Sequence, residues 1–147
     1  MRAPASYLLL LCAAALVGCS NSNSSTPTAR FSQPPVTAFA EGTCRTVASD
    51  ILSLGSSARR LGNGGEVDPA VLTELEQAQG NLRPLVEAAE PTYKPALDKL
   101  VIAAGLVRLQ ARVGNYQAAT GDNLKKTYAA AVDVCTKGPS SSATPTP

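Results

Sequence analysis

Apolar positions recur at helical spacing through most of the chain between residues 38 and 138. Cys44, Val47, Ile51, Leu54, Ala58 and Leu61 step by three and four residues, which predicts the seam of a bundle helix. Gly62-Asn63-Gly64-Gly65 breaks it in a turn. Asp68-Pro69 opens a second helix, with Asp68 as N-cap and Pro69 in the first helical position. Its seam runs Val71, Leu75, Ala78, Leu82, Leu85, Ala89. Pro84 falls inside this run and clashes with the carbonyl of Gly80, so one bent helix is expected. Glu90-Pro91 ends it, and Thr92 is the expected cap of a third helix with Pro95 in its first turn.

Tyr93, Leu97, Leu100, Ala104, Val107 and Ala111 form the third seam. Val101, Ile102, Leu106 and Leu109 widen its apolar face, so this helix is expected to be the most buried. It ends near Gly114-Asn115. A fourth helix is expected from about Asp122, with Leu124, Tyr128, Ala131 and Cys135 on its seam. Lys137-Gly138-Pro139 stops it with a cation, a left-handed cap and a residue that cannot continue a helix.

Four helices with short connections predict an all-α, up-down-up-down bundle over residues 38–138. The start of the first helix and the end of the fourth then share one end. Cys44 and Cys135 occupy those two places, which predicts a disulfide between them; two buried free thiols are the alternative.

The flanks have a different pattern. Residues 20–37 are Ser, Thr, Asn and Pro with little apolar content, and 139–147 are Ser, Thr, Ala and Pro. Neither composition builds a packed element, so both are expected to be disordered tails. Ahead of them, Met1-Arg2 precedes an apolar run from Tyr7 to Val17, the length of a secretory signal core and too short to span a bilayer. Leu16-Val17-Gly18-Cys19 follows. This resembles the lipobox of bacterial lipoproteins, a resemblance confined to the first 19 residues.

That resemblance implies removal of residues 1–18, lipid on Cys19, and a chain held at the outer face of the cell membrane with 19–37 as its lipidated tether. Two or more acyl chains anchor stably where one is marginal. Cysteine counting agrees. Cys12 leaves with the signal segment and Cys19 takes lipid, so Cys44 and Cys135 remain as an even pair in an oxidising compartment.

Composition narrows the chemistry. The chain has no His and no Trp, 16% charged residues and a net charge of +2. That field is too weak to suggest nucleic-acid binding. Without His, the commonest general base and transition-metal ligand are missing. No Gly-x-Ser-x-Gly, no paired cysteines at ligand spacing and no phosphate loop are found, so neither enzyme activity, metal nor cofactor is expected. Glu74 and Glu76 are expected beside Arg108 and Arg112 as rim ion pairs. At the end of the bundle away from the disulfide, Arg59, Arg60, Lys125 and Lys126 converge with a loop tyrosine, Tyr116, as a candidate partner surface.

The expected function is a non-enzymatic binding or scaffolding module of the cell envelope, contacting the membrane through lipid on Cys19 and an envelope protein or cell-wall polymer through its fold. The Ala-rich, His-free mature part resembles small helical lipoproteins and secreted proteins of high-GC Gram-positive bacteria. The competing expectation is a carrier or sensor of a small apolar ligand held between helices, with the Gly80–Pro84 bend opening the gap.

Overall fold

The computed structural model describes residues 33–138. The expected signal segment, Cys19, the expected tether up to residue 32 and the expected 139–147 tail lie outside the described residues. Four helices make up the fold: α1 (Thr43–Arg60), α2 (Pro69–Glu87), α3 (Lys94–Arg112) and α4 (Ala118–Lys137), preceded by one 3-10 turn, Val36–Ala38. They belong to one compact unit. Each helix packs on its chain neighbours, and α4 returns to α1, so α1 and α3 stand on the diagonal of the bundle.

The seams explain the packing. Every seam residue of α1 is buried, as are Leu124, Tyr128, Ala131 and Cys135 of α4. Each large aliphatic so buried contributes about 1.5–3 kcal/mol. Asp68 caps α2 by accepting from the Ala70 N–H at 2.8 Å, and Pro69 follows it. Pro84 sits inside α2 without ending it. Beyond the proline the inward position is Val86, with Leu85 and Ala89 only half-buried. A step of four from Leu82 to Val86 keeps a 3.6-residue helix facing the core better than the expected step of three.

Three boundaries differ from expectation. Thr92 does not cap α3, whose N-cap position is Tyr93 with no side-chain bond. The start of α4 is Ala118 rather than Asp122, because residues 118–121 already turn helically and Thr120 bonds the Gln110 amide oxygen at 2.7 Å. At the other end of the chain, residues 33–38 are part of the fold. The Gln33 amide donates to the Leu52 carbonyl at 2.7 Å, and the Arg45 guanidinium donates to the Thr37 and Phe39 carbonyls. Phe39 is buried beneath them.

Cys44 and Cys135 form the disulfide, with their Cα atoms 5.3 Å apart. The neighbouring Ala40 N–H donates to the Cys135 carbonyl at 2.8 Å, tying the entering chain to the end of α4. At the opposite end the glycine turn is held in place. Gly64 and Gly65 take positive φ, which only glycine adopts without strain. The Gly65 N–H then bonds the Tyr116 carbonyl at 3.2 Å, so the α1–α2 and α3–α4 connections are joined.

Candidate functional site

Three of the five residues expected to form a partner surface at the disulfide-distal end, Arg60, Lys125 and Tyr116, are engaged within the fold. Arg60 donates to Glu74 at 2.6 Å and lies 3.8 Å from Asp68. Lys125 pairs with Asp122 at 3.1 Å, one turn back on its own helix. Tyr116 is buried rather than presented, its hydroxyl donating to the Gly62 carbonyl at 3.2 Å. Burial pushes its phenol pKa upward, and the Asp122 charge adds to the effect. Arg59 and Lys126 are exposed. Tyr116 thus plugs this end and two of the four cations sit in local ion pairs, while Arg59 and Lys126 stay exposed.

Glu76 bridges α2 to α3 as expected, receiving Arg108 at 2.6 Å and Arg112 at 2.5 Å. Glu74 turns the other way, to Arg60 and the buried Ser57 hydroxyl on α1. Hydrogen bonds from Arg60 and Arg112 hold the Glu74 and Glu76 carboxyls respectively below their ordinary pKa. Arg108 also donates to the Gln79 amide oxygen, and Gln79 donates to the Val101 carbonyl at 2.9 Å. These contacts staple helices together. Ser57 bonds a carboxylate already committed to an arginine, so no activated nucleophile results. Among the described residues no cluster of His, Cys, Asp and Glu could hold a metal ion.

The unexpected feature is on α3. Ile102, Leu106, Leu109 and Val113, the last just past the helix end, are 62%, 43%, 60% and 68% exposed. Their spacing of four, three and four places them within about 60° of arc at 100° per residue. Leu97, Leu100, Ala104 and Val107 are buried on the opposite side. Helix α3 therefore carries two apolar stripes, one for the core and one for solvent, and the expectation that it is the most buried helix is overturned. A helix in a four-membered bundle is covered by two neighbours, and α3 has more apolar arc than α2 and α4 can cover. The width of that arc was the signal available in the sequence.

Charge borders the outward stripe. Lys99 lies on its α4 side and makes no ion pair within 4 Å among the described residues. Arg112 lies on its α2 side, sharing the single Glu76 carboxylate with Arg108. The Lys94–Asp98 pair at 3.8 Å is neutral in sum, which leaves about two net positive charges along the stripe's flanks.

Grooves between the helices are shallow. One of about 420 Å³ between α1 and α2 is lined by Asp50, Ser53, Ser56, Gln77 and Asn81. Another of about 390 Å³ between α3 and α4 is lined by Pro95, Ala96, Lys99, Thr127 and Val134. A third, of about 320 Å³ between α2 and α3, is lined by Gln79, Arg83, Glu87, Asp98 and Ile102 and lies beside Gly80 and Pro84, which both face solvent. Among the described residues no helix is long and apolar enough to cross a membrane. No protein-family model matches this chain, and no curated protein or solved structure matches it.

Proposed function

We propose that this chain is a lipid-anchored module of the cell envelope that works by contact rather than by catalysis, with the outward face of α3 as its contact surface. The observation that carries the contact reading is the row Ile102, Leu106, Leu109, Val113 standing in solvent. Single exposed aliphatics are ordinary, but a contiguous row on a rigid helix marks an interaction surface. The fold supports a presenting role. Four packed helices and a disulfide hold the row in register, and no polar cluster beside it is arranged for chemistry.

The anchor reading rests on Leu16-Val17-Gly18-Cys19 after a short apolar run. It also rests on Cys19 being the one thiol after residue 18 outside the Cys44–Cys135 pair. Intact mass of the protein extracted from membranes tests it. The expected species begins at Cys19, carries the mass of two or three acyl chains, and gains two hydrogens on reduction. An unmodified cysteine, or a chain still beginning at Met1, defeats the anchor reading.

A further inference from the structure

We infer that the α3 stripe lies on the bilayer itself: Ile102, Leu106, Leu109 and Val113 rest in the interfacial region of an anionic membrane, with Lys99 and Arg112 reaching the headgroups on either side. This rests on the reading that Cys19 carries the anchor, and it names what the contact surface touches. Three observations point to a lipid surface.

The first is area. Four branched aliphatics at 43–68% exposure present on the order of 400 Å² of apolar surface. A stable dimer takes about 800 Å² of polar and apolar surface from each partner, so the stripe alone makes up only part of such an interface. A chain already tethered to the bilayer needs far less, because the tether turns association into an intramolecular event.

The second is charge. Lys99 and Arg112 flank the stripe on its α4 and α2 sides, one cation to each edge. The same two cations complement an anionic leaflet, and their aliphatic stems can lie along the apolar layer while the charged heads reach phosphate.

The third is reach. The chain joins the bundle at Gln33, bonded to Leu52 midway along α1, diagonally across from α3. From Cys19 to Gln33 there are 14 residue steps, up to about 48 Å when extended. A bundle two helix diameters thick is about 20–24 Å across. Extended, those steps exceed the thickness of the bundle, so an anchor at Cys19 permits α3 to lie on the lipid. With α3 on the lipid, α1 faces away from the membrane.

The test exploits two absences from the sequence. After removal of residues 1–18, Cys19 is the only thiol outside the disulfide, and the chain has no Trp. The chain from Cys19 onward is coupled through that thiol to a maleimide lipid in phosphatidylcholine vesicles containing phosphatidylglycerol, which supplies an anchor whatever the cell does to Cys19. Leu109→Trp reports on the stripe and Ser49→Trp, exposed on α1, on the opposite side. The expected result is a blue-shifted Leu109→Trp emission that loses most of its intensity to bromine-labelled acyl chains, and weakens as salt is raised. Ser49→Trp emission stays at its value in water.

An unshifted, unquenched Leu109→Trp on these vesicles overturns the inference, and so does equal quenching of both reporters. A shift that appears without vesicles, rises with protein concentration and accompanies a dimer mass in sedimentation also overturns it, in favour of a second copy. Circular dichroism and thermal melting of each variant verify the fold. A failed vesicle result leaves the anchor to be judged by the mass of the extracted protein, so the two readings fall separately.

Discussion

Two tyrosines press on glycines to close this core, and they do so at opposite ends of what a sequence reveals. On α1, an added methyl at Gly55 would strike the Tyr128 ring. On α4, an added methyl at Gly121 would strike the Tyr116 hydroxyl. Tyr128 lies on a helical seam, so its burial followed from periodicity. Tyr116 sits in a connection with no period, and its burial depends on the Gly62 carbonyl being delivered by another loop. That made it look like a contact residue. Gly121→Ala is therefore expected to lower stability by about 1–3 kcal/mol through overpacking, despite alanine's better helix propensity. In a Tyr116→Phe background the obstructing oxygen is gone, and the same substitution is expected to cost measurably less. Urea denaturation of the four proteins checks the coupling, and strict additivity would show that the hydroxyl is not what Gly121 accommodates. Alkali probes the same side chains. Burial raises the phenol pKa of Tyr128, opposed by Gln33 and by the Arg59 charge, and raises that of Tyr116. A raised pKa means the folded state holds the proton longer. The contribution is whole below the ordinary value of 10.0 and is lost as pH rises beyond it. Stability followed by denaturation from pH 8 to 11 is expected to fall only in the last part of that range; a flat profile would show that neither phenol is desolvated.

At the scale of the helix, the period of the pattern was legible and its width was misleading. Seams with steps of three and four picked out the buried faces of α1 and α4 correctly. For α3 the same reasoning counted every apolar residue toward the core, although only one side of a helix can face it. Ile102 and Leu109 lie about 180° from the middle of the Leu97–Val107 seam, which is too far for any neighbour on that side to reach. The surplus apolar residues are the exposed stripe on which the proposed contact rests. The start of α4 was missed because no Ser, Thr, Asp or Asn marks it. Gln117 is the N-cap, with no side-chain bond, and Gln110 on α3 supplies an oxygen to its backbone N–H at 3.3 Å instead. Helix α2 carries the opposite kind of weakness. Gly80 is exposed in mid-helix with nothing within 4 Å of an added methyl. Gly80→Ala is expected to stabilise the protein by about 0.5–1 kcal/mol by reducing the freedom of the unfolded chain. A proline inside a helix crowds the carbonyl four residues back, here that of Gly80, so the prediction has a specific way to fail. If accommodating Pro84 relies on glycine's adaptability, the melting temperature will drop instead of rising.

Across the whole molecule, consecutive helices are joined by short connections, and only the packing of α4 on α1 closes the bundle over a long stretch of chain. The Cys44–Cys135 bond spans 91 residues and sits at the open end of that closure. Pairing was legible because two independent features agreed, the parity of the cysteines and the up-down order of the helices. Chain entropy for a loop of that length amounts to about 4–5 kcal/mol, and native disulfides of small exported domains are typically worth 2–5 kcal/mol. The loss should also be uneven. Interfaces α1–α2, α2–α3 and α3–α4 are each re-formed by a local hairpin at little loop cost. The α1–α4 interface is the one whose closure the disulfide prepays. Cys44→Ser with Cys135→Ser is therefore expected to keep its helical content and lose 2–5 kcal/mol of global stability. Amide exchange should accelerate first at the start of α1 and the end of α4, where the Ala40 N–H meets the Cys135 carbonyl. The outward stripe of α3 stands diagonally across from α1, held by α2 and α4. Its amides are expected to be the last to loosen, so a reduced chain should lose its closure before it loses its contact surface. Uniform acceleration across all four helices would show that the bundle opens as one unit and that the bond sets only its overall stability.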